Sequence, residues 1–206
     1  MHPNPAFRKE DDSRAWAFAA SRGFGVLSIH GESLPLAAHI PFLCSTDSIE
    51  AHLVRSNPIA RALRAGPVPA LLIVSGPDGY ISPDWYGEDD KVPTWNYVAV
   101  HLKGVLSLAP PDRLIGHLER LSAQFEGHLP KPPWTHHKMT PGVMEGMMRQ
   151  ILPVTMRVDA IESTYKLNQN RSDQARHNAA NMLARGDTPG METAQLAELM
   201  TGVPDE

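Results

Sequence analysis

The sequence predicts an α+β protein, mainly antiparallel β: a sheet that closes into a barrel, with helices at its periphery. Three observations carry this. Segments with strict two-residue alternation recur and are mostly separated by short turns. The helical signatures fall between or after the strands, instead of following each strand as in repeated βαβ units. Neither GxGxxG nor GxxxxGK[ST] occurs, so nothing supports a dinucleotide fold or a P-loop.

Taken in order, "DDSRAWAFAASRGFG" reads as a short helix, with acidic residues at its start, Trp16 and Ala19 apolar, and Gly23 as the stop. "FGVLSIH" is a strand turning at Gly31. In "LPLAAHIPFL", Leu34, Leu36, Ile40 and Phe42 share one face, and His39 lies opposite with Ala37 and Pro41. In "SIEAHLV", Ile49 and Leu53 share a face, and His52 lies opposite with Glu50. "NPIARALRAG" has the residues of a capped helix: Asn57 as N-cap, Pro58 in the first turn, Gly66 past the end. "VPALLIVSG" is a buried strand, "GPDG" (Gly76 to Gly79) a turn, "YIS" a resumed strand and "PDWYGEDDKVP" a polar loop.

"DKVPTWNYVAVHLKG" then places Val98, Val100, Leu102, Leu106 and Leu108 on one face and Trp95, Tyr97, His101 and Lys103 on the other. Leu114, Leu118, Leu121 and Phe125 recur at helical intervals. A Pro-rich connector, "HLPKPPWTHHKM", precedes a helix capped by Thr140 with Pro141 in its first turn. "PVTMRVDAI" alternates as a strand, and "YKLNQNRS" is a polar segment before a helix capped by Ser172 and stopped by Gly186. Residues 1–186 are therefore expected to form one domain with a C-terminal helix, and 187–206 a polar tail that frays.

Composition narrows the function. The chain has 206 residues, 42% hydrophobic and 20% charged, which is enough for a core. Its formal charge of -4 opposes the basic field that phosphate-backbone binding needs. Cys44 stands alone, so neither an internal disulfide nor a thiolate zinc site is available. No signal-peptide core and no apolar run of ~20 residues is present, which makes the cytoplasm the expected address.

Three strands put a histidine (His39, His52 and His101) on the face away from the core, beside Trp95 and Tyr97. One histidine there is an ordinary solvated residue; the group together fits a stacked ligand or a subunit interface. His136 and His137 are adjacent on an extended connector and point apart, so no metal is expected. "HLVRSNP" ends a strand and begins a helix, where Arg55 and Ser56 offer donors to a phosphate and Asn57 caps the helix. A planar ring and a phosphate together describe flavin mononucleotide or pyridoxal phosphate. No lysine sits in a Schiff-base context, which favours the flavin.

"YISPDWY", "VPTWNYVAVHLKG", "FEGHLPKPPW" and "YKLNQNRS", with "HIP" at His39 and "AHLVRSNP" at Ala51, resemble the PaiB family, the FMN-binding negative transcriptional regulators. The resemblance runs from near the start of the chain to about Ala184. It implies a split β-barrel like that of the pyridoxamine-phosphate oxidases, working as a homodimer with FMN between subunits. The implied FMN contacts are His39, Pro41, Ala51, His52, Leu53, Arg55, Ser56, Asn57, Trp95, Asn96, Tyr97, Lys166, Gln169, Asn170 and Arg171. Val54, Ser56, Ile59 and Asn168 depart from the family's usual residues.

Three functions follow as expectations. The first is an FMN-dependent oxidoreductase or flavin-linked regulator, with no catalytic residue assigned. The second is a transcriptional repressor acting through DNA or a protein partner. Its basic helices are weak: "TPGVMEGMMRQI" has one basic residue, and "SDQARHNAANMLARG" has Arg176, His177 and Arg185. The third, a haem-binding or haem-degrading barrel, rests on histidines alone.

Overall fold

Alternation sets the sheet. In β1 (Phe24–Ile29) Gly25, Leu27 and Ile29 are buried, and in β3 (Ser48–Val54) Ile49, Ala51 and Leu53 are. β2 (Leu36–Cys44) buries Ile40 and Phe42. Three longer strands follow: β4 (Val68–Ile81), β5 (Thr94–Leu108) and β6 (Ile151–Lys166); a short β7 spans Gly190–Met191. The strand order is β1-β2-β3-β6-β5-β4-β7, and β1 also pairs with β4. That second pairing closes six strands into an antiparallel barrel and leaves β7 as an addition on β4, so the six barrel strands have no open edge. The computed structural model describes residues 1–204.

The helices form where local chemistry directs them. α1 (Asp12–Arg22) starts as Asp11 Oδ1 accepts from Arg14 N at 2.7 Å, and it stops at Gly23, whose φ is +57°. In α2 (Pro58–Ala62) Asn57 Oδ1 accepts from Ile59 N at 2.9 Å with Pro58 in the first turn, as the sequence predicts. α3 (Arg113–Glu126) buries Leu114, His117 and Leu121. α5 (Asp173–Leu183) is capped by Ser172 Oγ, and Ala175, Ala179 and Leu183 are buried at helical spacing.

Some expectations are corrected. "GPDG" is not a turn, because β4 runs unbroken through it. Asp78 and Gly79 pair there with Met191 and Gly190 of β7. A Cβ on Gly79 would lie 2.9 Å from Leu183 Cδ2, so the glycine serves close packing instead of reversal. β6 extends past "PVTMRVDAI" to Lys166, taking in the start of the segment read as polar. α4 (Val143–Met148) begins after Gly142, in left-handed conformation, and not at Thr140; no side chain caps it. "PDWY" coils into a 3-10 turn that buries Tyr86. Leu34, Leu108 and Phe125, placed on core faces by pattern, are exposed. Leu34 precedes its strand, Leu108 ends one, and Phe125 lies in the last turn of α3.

Within the segment expected to fray, a helix forms. α6 (Thr193–Thr201) buries Leu196, Ala197 and Met200 and packs on α5. The chain divides into two compact units. One comprises Met1–Ala15, Val74–His101 and Glu162–Glu206; the other comprises Trp16–Ile73 and Leu102–Ile161. In the latter, a Cβ on Gly104 would fall 1.8 Å from the Arg157 carbonyl oxygen, so β5 and β6 approach there as only glycine allows.

Candidate functional site

In the unit built from Trp16–Ile73 and Leu102–Ile161, the side chain opposite the core face of β3 meets a helix, not open solvent. His52 Nδ1 lies 3.1 Å from His117 Nε2 on α3. His117 is 2% exposed, and its Nδ1 lies 3.9 Å from Glu50 Oε2. Arg120, one turn further along α3, bonds the same Glu50 oxygen. Burial, then His52, hold the His117 pKa down to about 4, the nearby Glu50 carboxylate only partly offsetting them; burial lowers His52 as well. Both rings are therefore neutral at pH 7. The sequence reading missed His117, although its signal was present: it stands three residues after Leu114 and four before Leu121, inside the apolar stripe of α3.

The exposed ring surface of this unit lies on the neighbouring strands. Phe24 is 53% exposed and stacks on His39, with ring centroids 6.3 Å apart at 28°. Phe24 pairs with Pro41 across the β1–β2 ladder. Phe24 was also missed, since it stands at the very start of its strand. Ala51 and Leu53 are buried, so what they offer a ligand is backbone. At the end of β3, Arg55 and Ser56 are exposed. Arg55 Nε donates to Arg149 O at 2.6 Å and its backbone N–H to Gln150 O at 2.9 Å, which fixes the side chain's base. Its Nη groups make no hydrogen bond among the described residues. α2 has only five residues and its first free N–H is taken by Asn57, so a helix-dipole contribution here is small and the anion donors are the guanidinium and the Ser56 hydroxyl. Burial pushes the Cys44 thiol up to about 12, which leaves it no thiolate for chemistry.

In the other unit, Trp95 is 46% exposed and meets the Tyr80 ring edge-on at 6.4 Å; Tyr97 is half-buried. Asn96 faces the interior: it is fully buried, and its Nδ2 donates to Met200 Sδ at 3.4 Å. Lys166 Nζ donates to Thr94 Oγ1 and, at 2.7 Å, to the Trp95 carbonyl oxygen, and burial lowers its pKa. Gln169 spends its amide on its own loop, accepting from Leu167 N at 2.7 Å and donating to Tyr165 O at 2.5 Å. Asn170 is exposed, and the Arg171 guanidinium lies 5.2 Å over the Tyr86 ring. Asn168, the departure noted in the family motif, is buried at φ +63° and accepts from Tyr86 OH at 3.3 Å; asparagine is suited to that left-handed backbone.

Known proteins match this chain in sequence and in fold. The family model described as "Putative FMN-binding domain" matches residues 1–160. "Protease synthase and sporulation protein PAI 2" of Bacillus subtilis (strain 168) is 32% identical over 199 residues, covering 94% of this chain and 93% of that protein. Two solved structures share the fold at low identity. The FAD and heme binding protein from Mycobacterium smegmatis has a TM-score of 0.56 at 17% identity, over 77% of this chain and 73% of that one. The flavocytochrome Anf3 from Azotobacter vinelandii has a TM-score of 0.57 at 13% identity, over 80% and 72%. The chain is a split barrel with peripheral helices that belongs to the PaiB family of FMN-binding proteins, and FMN is the cofactor this membership assigns it.

Proposed function

We propose that this protein is a flavin-dependent redox protein that holds the FMN phosphate at Arg55 and Ser56, lays the ring system on the Phe24–His39 surface, and works as a homodimer. The observation that carries the reading is the donor set of one unit: an exposed, parallel aromatic pair, and an anchored guanidinium beside an exposed hydroxyl. That set fits a ligand with both a planar ring and a phosphate. When bound, FMN supplies the electron transfer, and the protein supplies position and surroundings. Arg55 neutralises the phosphate, Asn57 keeps the turn closed, and Phe24 with His39 gives a face for stacking. The unit containing Trp95 offers exposed aromatic surface of its own, and Asn170 and Arg171 remain the available polar groups of the "KLNQNR" motif, Lys166 and Gln169 being engaged within the chain.

Direct operator binding is the weaker reading. Arg176, one of the three basic residues read in that segment, is buried, and α4 has six residues.

Arg55→Ala combined with Ser56→Ala should weaken FMN ~10-fold or more while leaving riboflavin, which lacks the phosphate, nearly unchanged, since a charge-assisted hydrogen bond is worth about 1.5–3 kcal/mol. Calorimetric titration of both ligands checks it. Equal losses for the two would assign the pair to docking α4 and remove the phosphate from this corner. Light scattering should give twice the chain mass, because Phe24, Val54 and Trp95 leave more apolar surface open than a monomer usually does. A monomer that binds FMN would assign those faces to the ligand alone.

A further inference from the structure

The buried imidazole pair has one hydrogen bond and two ways to arrange its protons. One nitrogen across the 3.1 Å contact must carry a proton and the other must be bare. In the first arrangement His52 Nδ1 donates to a bare His117 Nε2, and the remaining proton of His117 sits on Nδ1. In the second His117 Nε2 donates, and the bare lone pair of its Nδ1 faces the Glu50 carboxylate at 3.9 Å. The first sets a positive N–H toward an anion, the second a lone pair toward the same anion. With His117 buried, the local dielectric is low and the difference is large. His117 Nδ1 has no hydrogen-bond partner among the described residues, so nothing competes with the carboxylate for its orientation. A doubly protonated His117 is disfavoured by its burial and by Arg120, which already bonds Glu50 from the same helix.

We propose that His117, oriented by Glu50, is a positioning residue that fixes His52 as the Nδ1-protonated tautomer, so that His52 Nε2 is a dedicated hydrogen-bond acceptor for a ligand N–H or O–H group. The half-buried ring then recognises a neutral donor, such as the imide of a heterocycle or a hydroxyl, and rejects an ionised carboxylate, which has no proton to give. His52 Nε2 makes no hydrogen bond among the described residues, which leaves it for such a ligand. His52 is by the same argument a poor proton donor at neutral pH. This assignment rests on the His52, His117 and Glu50 contacts and does not depend on which ligand occupies Arg55 and Ser56.

Long-range proton–nitrogen NMR of the full-length, nitrogen-15-labelled protein without added flavin tests it at pH 7.5. The His52 and His117 signals are identified by their loss in His52→Gln and His117→Gln. Both rings should be neutral with the proton on Nδ1 and a bare Nε2, the minor form of a free histidine in water. A His52 proton on Nε2, an averaged mixture, or a charged His117 would overturn the proposal. Glu50→Gln, with its fold checked by the backbone amide spectrum, should return His52 toward a mixture; an unchanged pattern would show that the carboxylate does not set the tautomer. Because the signals are read without flavin, they stand or fall apart from FMN binding.

Discussion

Arg176→Ala should cost about 2–4 kcal/mol of unfolding free energy, as a buried charged donor to two carbonyls and a partly exposed carboxylate is removed. Arg176 is 1% exposed, with Nη1 donating to Met200 O at 2.9 Å and Val203 O at 2.8 Å, and Nη2 to Asp173 Oδ1 at 2.6 Å. Met200 lies in the last turn of α6, so its carbonyl has no partner within the helix and the guanidinium serves as its cap. Truncation removes that donor from two carbonyls and from the Asp173 carboxylate. Arg176→Lys should recover only part of the loss, since a compact ammonium does not span the same three acceptors. Urea denaturation of the three proteins checks this. A loss below about 1 kcal/mol for the alanine variant would mean that α6 is held by its apolar contacts alone.

Acid should destabilise the protein through His117 as pH falls below 6.5. Its pKa is 6.5 in a free chain and about 4 in the fold. Between those values the unfolded chain carries a proton that the folded protein refuses, so stability rises with pH across this window and is fully present above 6.5. The contribution is on the order of 3 kcal/mol and is lost as pH falls toward 4. His52, lowered by burial, acts in the same direction. Asp11, Glu88 and Glu126 are also lowered, from 3.8, 4.5 and 4.5, so whatever they contribute is lost at still lower pH. Urea midpoints from pH 7.5 to 4.5 should fall steeply for the native chain and much less for His117→Gln. Parallel profiles would place the acid-sensitive group elsewhere.

What could be read from the sequence was what local chemistry decides. Asn57 and Pro58 mark the start of α2 because a cap and a fixed φ act within one turn, and Ser172 marks α5 for the same reason. The alternation of β3 and of most of β5 survived into the structure because one face of each is core. Distant contacts hid the rest. "GPDG" has the composition of a turn, and only β7 and the helices against Gly79 keep it extended. α6 was lost in a polar composition, although Leu196 and Met200 stand four apart. Contacts within the chain also engage part of the candidate site. Lys166 and Gln169 look like ligand groups in a string of polar residues, but their hydrogen bonds close the chain on itself. Asn96 shares a motif with Trp95 and Tyr97 yet points into the interior, as strand alternation demands.

The uninterrupted course of β4 changes how its residues count. Ala70, Leu72 and Val74 are buried, then Gly76 and Pro77 both are, then Gly79 and Ile81. The even positions form the inside before the slip and the odd positions after it. One ribbon thus obeys two opposite rules of substitution, with charge tolerated at odd numbers in its first half and at even numbers in its second. A two-residue pattern fitted to the first half of the strand therefore falls out of phase by one residue at Gly76–Pro77.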